Sequence, residues 1–390
     1  MLTRREFVAA TAAGLSVTPA LRAQRGPDEY IAFVGAYTRT TGKGIQAWRF
    51  KPLTGDLTPL GIVAETPDPS WLIAHPSGRF LYAVNEMPLY NGLNTGAVSA
   101  FARGSAPGQL TPLNRVLSGG LNPSHLAMDP GGRWLIVANY GSATDTAGAV
   151  AVFGIQTDGS LEEKPHTLIQ HTGKGTHPTR QMAAHAHAVV LSPKARFLLV
   201  PDLGANRVVM YRWDGKAGSL TPAGDPFVDG PVAGAGPRHA AFSRDGRFAY
   251  VNHELNSTAT SYRFDEETGR LLPLATVSTL PRGFAEQNST SEIELHPNGP
   301  FLYIANRGHN SIAVFRIDEG GMLSVIGHTP TGGMTPRSFK IDPSGAYMMI
   351  ANQRSDSVNV LRIDPRSGLL TPTDKVLDMP TPACVLFLPT

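Results

Sequence analysis

Along this 390-residue chain, ionisable side chains recur at two fixed offsets from a repeated Pro-containing phrase, where a β-rich protein built only for packing would carry apolar residues. The first offset gives Ser70, Ser124, His187, Arg238, Ser291, Arg337 and Ala383, with Trp71, His125, His239 and Glu292 one residue later. The second, ten residues past each turn proline or its equivalent, gives Glu86, Tyr140, Leu203, Glu254, Arg307 and Gln353. Arginine grips carboxylate or phosphate through two parallel hydrogen bonds. A histidine near neutral pKa can activate water, and a glutamate can orient or protonate it. The set suits an anionic small molecule bearing an ester or lactone carbonyl. His187, Arg238 and Glu254 are then the catalytic candidates, with Arg307, Arg337, His125 and His239 binding the substrate.

Plainer roles compete for the same residues. Arg238 and Arg337 could bridge neighbouring repeats through carbonyl groups, His125 and His239 could point into an interface between repeats, and Glu254 could only brace a loop. His166, His171 and His177 lie in a loop-rich stretch and read as surface histidines. His185 and His187 alternate along a strand and could both face a zinc ion, but a third ligand would have to come from His125, His239 or Glu254. A site without metal or cofactor is expected. No Gly-x-Ser-x-Gly elbow, H-E-x-x-H helix or phosphate loop occurs, so no covalent nucleophile is expected either.

The elements that must position these residues are repeated. A first strand recurs seven times, as PSWLIAHP at Pro69, PSHLAMDP at Pro123, AHAVVLSP at Ala186, PRHAAFSR at Pro237, TSEIELHP at Thr290, PRSFKIDP at Pro336 and PACVLFLP at Pro382. Second strands follow short turns: FLYAVN, WLIVAN, FLLVPD, FAYVNH, FLYIAN and YMMIAN. Each repeat ends on a G-x-L-T-P-like phrase such as TGDLTPL or AGSLTPA. Four short strands per roughly 45–60 residues, with no 3.6-residue apolar period, predict an all-β, seven-bladed β-propeller. Pro382–Pro389 is a first strand with nothing after it, and Tyr30–Tyr37 is a second strand with nothing before it. Pairing the N- and C-terminal strands would close the ring and remove its free edges. Turns between first and second strands are short and uniform. The long insertions Met87–Gly96, Gly141–Gly148, Gln170–Ala184 and Pro281–Thr290 all fall on the other rim, where the ionisable sets also lie.

Hydrophobic residues make up 41% and charged residues 17%, ordinary for a globular chain, and the single Cys384 excludes an internal disulfide. Residues 1–23 read as a twin-arginine export signal: Arg4-Arg5 precede a short apolar run, and cleavage is expected after Ala23. Residues 24–29 are a short linker and 30–390 the propeller. The signal carries three arginines and one glutamate, so removing its +2 from the formal +3 leaves about +1. With no basic stripe, nucleic acid is not an expected partner. An exported monomer without a membrane span is expected, acting on a small anionic molecule.

Gly234–Thr258 (GAGPRHAAFSRDGRFAYVNHELNST) resembles the propeller-type 6-phosphogluconolactonase family, related to fungal carboxymuconate-lactonising enzymes. NPSHLAMDPGGRWLIVANYGS at Asn122, HAVVLSP at His187, NRGHNSIAVF at Asn306 and TPRSFKIDPSG at Thr335 extend the likeness over Tyr30–Thr390. The resemblance implies metal-free hydrolysis or formation of sugar-acid-type lactones. It places the active site on His187, Arg238 and Glu254, with Arg307 or Arg337 completing the anion site. A phosphorylated sugar lactone is an intracellular molecule, so an exported member is expected to act on another lactone. A non-catalytic binding module of the cell envelope, using the same rim, is the alternative. Replacing Arg4 and Arg5 by Lys is expected to leave uncleaved protein in the cytoplasm, as fractionation and immunoblotting would show; undiminished mature protein in the envelope would refute the twin-arginine assignment.

Overall fold

The computed structural model describes residues 27–141 and 148–390, so the proposed export signal, half of the linker and most of the Gly141–Gly148 insertion lie outside the described residues. Seven four-stranded antiparallel sheets form the blades of a propeller. The first blade is composite: Pro382–Pro389 is its innermost strand, followed outward by Tyr30–Ala36, Ile45–Lys51 and Asp56–Ala64. Tyr30 pairs with Pro389 and Ala36 with Pro382, so the chain ends close the ring as the repeats predict. Thr381 Oγ1 adds a hydrogen bond to the Tyr37 carbonyl at 2.7 Å. Among the described residues no helix is long and apolar enough to cross a membrane.

Apolar side chains pack in seven layers, each between two neighbouring blades. Second strands are covered on both faces, which explains their unbroken apolar runs. Phe80, Tyr82 and Val84 face one neighbouring blade, and Leu81 and Ala83 face the other, as the two-residue period of a strand requires. The terminal Gly-x-Leu phrase belongs to the same packing. Gly159 (φ +88°) lies flat on the Phe80 ring of the preceding blade, where a Cβ would come within 2.2 Å of a ring carbon. Gly269 lies on Phe197 in the same way, with a Cβ reaching to 2.3 Å. The phrase is thus an interlock between blades.

Second strands end on a buried amide or acid: Asn85, Asn139, Asp202, Asn252, Asn306 and Asn352 all have zero exposure. These groups tie first strands in place. Asn252 accepts from the His239 amide at 3.0 Å and donates to the Ser291 carbonyl of the next blade at 3.0 Å. The first strands also carry a feature that a two-residue period hides. In five of the seven innermost strands the pairing slips by one residue near the mouth, between Pro123/His125, Pro237/His239, Thr290/Ile293, Pro336/Ser338 and Pro382/Cys384. A β-bulge leaves one residue unpaired and re-aims its neighbours. Ser124, Arg238, Arg337 and Ala383 are the extra residues. Deleting Pro382–Thr390 should expose the Tyr30–Ala36 edge and open two interblade layers, leaving insoluble protein or a melting temperature several degrees lower; an unchanged melting temperature would contradict closure through this strand.

Candidate active site

Bulges put successive side chains of the innermost strands onto one surface. Arg238 and His239, neighbours in sequence, touch each other: Arg238 Nη1 donates to His239 Nε2 at 3.1 Å. His239 therefore shares a surface with Arg238 and at the same time reaches Glu292 of the next blade, so both sequence alternatives for it are met in part.

Four of the predicted residues converge at the mouth with one that sequence did not single out. Glu254, 3% exposed, lies at the exit of its second strand. Its Oε2 accepts from Arg238 Nε at 2.9 Å and Arg307 Nη2 at 3.0 Å, while Oε1 accepts from Arg180 Nη2 at 2.7 Å. His187 Nε2 stands 4.0 Å from Oε2. Burial alone would raise the Glu254 carboxyl, but Arg307, Arg180 and Arg238 hold it well below the ordinary carboxylate range. The Arg238 guanidinium, lowered to about 9 by burial and then by Arg307, still carries its charge at neutral pH.

Arg337 stands across the mouth from this cluster with partners of its own. It donates to Glu86 Oε2 at 3.0 Å and lies 5.0 Å over the Tyr37 ring. Glu86 also accepts from Tyr37 Oη at 2.7 Å and from Ser70 Oγ. Four guanidiniums against two carboxylates leave two positive charges, a setting for an anion. His187 lies within it as a neutral base: burial, then Arg238, His239, Arg337 and Arg307, push its pKa well below the usual value. Its Nδ1 is buried without a partner among the described residues.

His239 and His125 line the layer beneath. Both nitrogens of His239 are taken, Nε2 by Arg238 and Nδ1 by Glu292 at 3.2 Å. His125 stacks on Trp71 at 4.1 Å and meets His239 at 5.2 Å. They face an axial cavity of ≈ 360 Å³ that also touches Glu292, Glu294 and Lys340. A larger groove of ≈ 590 Å³ along Arg244, Tyr250 and His296 lies at the opposite rim, remote from the arginine cluster. His185 is turned to Tyr140, stacked at 4.3 Å with Nδ1 2.9 Å from the Tyr140 carbonyl. Among the described residues no three His, Cys, Asp or Glu side chains assemble as metal ligands.

Arg180 reaches Glu254 from the Gln170–Ala184 insertion, which the sequence marked as a rim loop without naming this residue. Two buried groups fix that loop. His171, read from sequence as a surface residue, is 4% exposed; its Nδ1 lies 2.7 Å from Asp202 and its Nε2 3.1 Å from Tyr211 Oη. Gln181 donates to the Leu203 carbonyl at 2.7 Å and accepts from the Thr176 and His177 amides at 3.0 Å. The signal that could have corrected His171 is Asp202: an acid in a series of buried amides requires a donor partner.

Fold and site together define a seven-bladed propeller whose mouth gathers four arginines beside a neutral histidine. Comparison with known proteins narrows that class: residues 31–387 match the seven-bladed β-propeller lactonase family. The chain is 31% identical to a 6-phosphogluconolactonase of Bacillus subtilis over 361 residues, covering 92% of this chain and 99% of the relative. It is 32% identical to a 6-phosphogluconolactonase of Formosa agariphila over 318 residues, or 80% and 86% of the two chains. The structure of a periplasmic gluconolactonase from Pseudomonas aeruginosa superposes with a TM-score of 0.86 at 34% identity, covering 92% of this chain and 99% of that one. The protein belongs to the β-propeller lactonase family.

Removing one partner of a buried charge cluster leaves the others unneutralised, which costs about 3–5 kcal/mol. Glu254→Gln should therefore lower unfolding free energy at pH 7 by that order, with part recovered in the double variant Glu254→Gln/Arg307→Gln. Equal denaturation curves for the wild type and Glu254→Gln would show that the carboxylate does not hold the arginines together.

Proposed function

We propose that this protein hydrolyses a sugar-acid-type lactone at the mouth, with His187 as general base and no metal or cofactor in the reaction. One observation carries the assignment of roles. Glu254 has both oxygens engaged by three arginines and is a weak base, whereas His187 Nε2 beside it has no hydrogen-bond partner among the described residues. Of the two residues that sequence offered as water activators, His187 is the one whose neutral ring keeps a lone pair to use, on Nε2 when the ring proton sits on Nδ1. Glu254 orients the guanidiniums.

The geometry supports the following sequence of steps. The acid or phosphate group of the substrate pairs with Arg337 and Arg180 at the rim. The lactone carbonyl lies toward Arg238 Nη2, which has no protein partner among the described residues, and Arg307. Water attacks the carbonyl carbon as His187 Nε2 takes its proton, and the arginines stabilise the oxyanion. Collapse breaks the ring C–O bond, and the imidazolium returns its proton to the leaving alkoxide. A lactone needs less activation than an amide, so positioning, proton transfer and charge stabilisation suffice without a covalent intermediate.

Binding an anion changes the base itself. In the free protein burial, and after it the arginine field, holds His187 neutral with a pKa well below its usual value. A bound anion offsets that field and raises the His187 pKa. Activity requires the neutral imidazole and is lost as pH falls through its pKa. The acid limb of kcat/KM, which reports the free enzyme, should therefore lie well below pH 6.5, and that of kcat at higher pH. We infer that the mature protein works outside the cytoplasm on an unphosphorylated lactone that keeps a free carboxylate for the rim arginines, a reading supported by Arg4-Arg5 and by the periplasmic location named for the Pseudomonas aeruginosa relative.

Purified protein should be assayed by pH-stat on neutral δ-gluconolactone, on a lactone bearing a free carboxylate and on 6-phosphogluconolactone. His187→Ala and Arg238→Ala are each expected to lower kcat/KM about 10²-fold or more. Full activity in His187→Ala would remove it as the base. Saturable binding of these lactones without turnover would instead establish a binding module.

A further inference from the structure

The mechanism gives Arg238 a task but leaves unexplained what fixes its direction in a crowded, positively charged mouth. Its contacts account for most of the guanidinium. Nε donates to Glu254, and Nη1 is shared between the Ser291 carbonyl and His239 Nε2. Arginine has donors and no acceptor, so His239 Nε2 must accept and the ring proton must sit on Nδ1. Nδ1 points at Glu292 Oε1, 3.2 Å away. Glu292 is 6% exposed and lies one blade further round the ring. It is held in turn, its Oε2 accepting from Ser338 Oγ at 3.2 Å and its Oε1 from the Ile293 amide at 3.2 Å.

We propose that Glu292 is a positioning residue for lactone hydrolysis: by accepting the Nδ1 proton of His239 from the axial cavity, it fixes the tautomer that turns a lone pair toward Arg238 and leaves Arg238 Nη2 facing the substrate. Three blades' first strands are joined by this chain, Glu292 and Ser338 from two and His239 with Arg238 from a third. Its end away from the mouth touches no substrate in the mechanism above. Without an acceptor at position 292, Nδ1–H would be a buried donor with no partner. The ring would then favour the Nε2–H form, which sets one N–H against another at Arg238 and displaces the guanidinium. A shift of about 1 Å in a positioning group can cost on the order of 10²-fold in rate.

The kinetic part of this inference rests on the lactonase reading; the tautomer does not. Wild type, Glu292→Ala and Glu292→Gln would be labelled with ¹⁵N-histidine, the His239 signal being identified by its loss in His239→Gln. The wild type should show His239 as Nδ1–H. In Glu292→Ala it should convert toward Nε2–H, with kcat on δ-gluconolactone down about 10–100-fold, KM nearly unchanged and folding retained by circular dichroism. Glu292→Gln, whose amide oxygen can still accept, should recover the Nδ1–H form and most of kcat. An unchanged tautomer in Glu292→Ala would overturn the proposal, and so would wild-type kcat in that variant or failure of Glu292→Gln to recover. If the wild type turns over no lactone, the tautomer measurement decides alone.

Discussion

Three guanidiniums gathered around one buried carboxylate are the interaction on which the mouth depends. Arg180, Arg238 and Arg307 would repel one another in a site this dry, and Glu254 makes their proximity possible. Its position follows from the blade: it sits at the exit of a second strand that is packed on both faces and terminated by buried Asn252 and His253. Burial disfavours the carboxylate, and the arginines reverse that effect. The carboxylate is thereby removed from proton-transfer chemistry. This division of labour leaves His187 as a neutral group beside a cationic surface, without a hydrogen bond to its ring among the described residues.

The scaffold explains why such a cluster is sustainable. Apolar burial is distributed over interblade layers rather than one central core, so the axis and rim are free to carry polar side chains. Bulges exploit that freedom. In a regular innermost strand, Arg238 and His239 would point to opposite sides. The extra residue lets both serve one site, and Asn252 secures the distorted backbone from below.

Repetition made most of this legible. Seven first strands in one register gave the ring, its closure through Tyr30–Ala36 and Pro382–Pro389, and the common rim of His187, Arg238, Glu254 and Arg307. The bulges were not legible, because an extra residue changes facing without changing composition. That is why the direction of His239 stayed open. Arg180 was hidden for a different reason: it lies on an insertion with no counterpart in other blades, so no register count reaches it. The pairing of Glu86 with Arg337 joins residues 251 apart in sequence, across the closed ring. Only closure brings their blades within reach.

Arg180 also shows how a rim loop can place a charged group with precision. A loop ordered only on ligand binding would spend part of the binding free energy on its own ordering. Here the Gln170–Ala184 segment is fixed beforehand, at one end by His171 on Asp202 and Tyr211 and at the other by Gln181 on the Leu203 carbonyl. The entropy of ordering it is lost during folding, where burial of these groups helps to offset it. Arg180 then meets Glu254 in a geometry inherited from the blade that carries Asp202 and Tyr211. Because the loop is anchored by its ends and not by Arg180, its intervening residues are free to differ in sequence while the guanidinium stays in place. A rigid repeated frame supplies Glu254, Arg238 and Arg307, and a stapled insertion adds Arg180 to the same cluster.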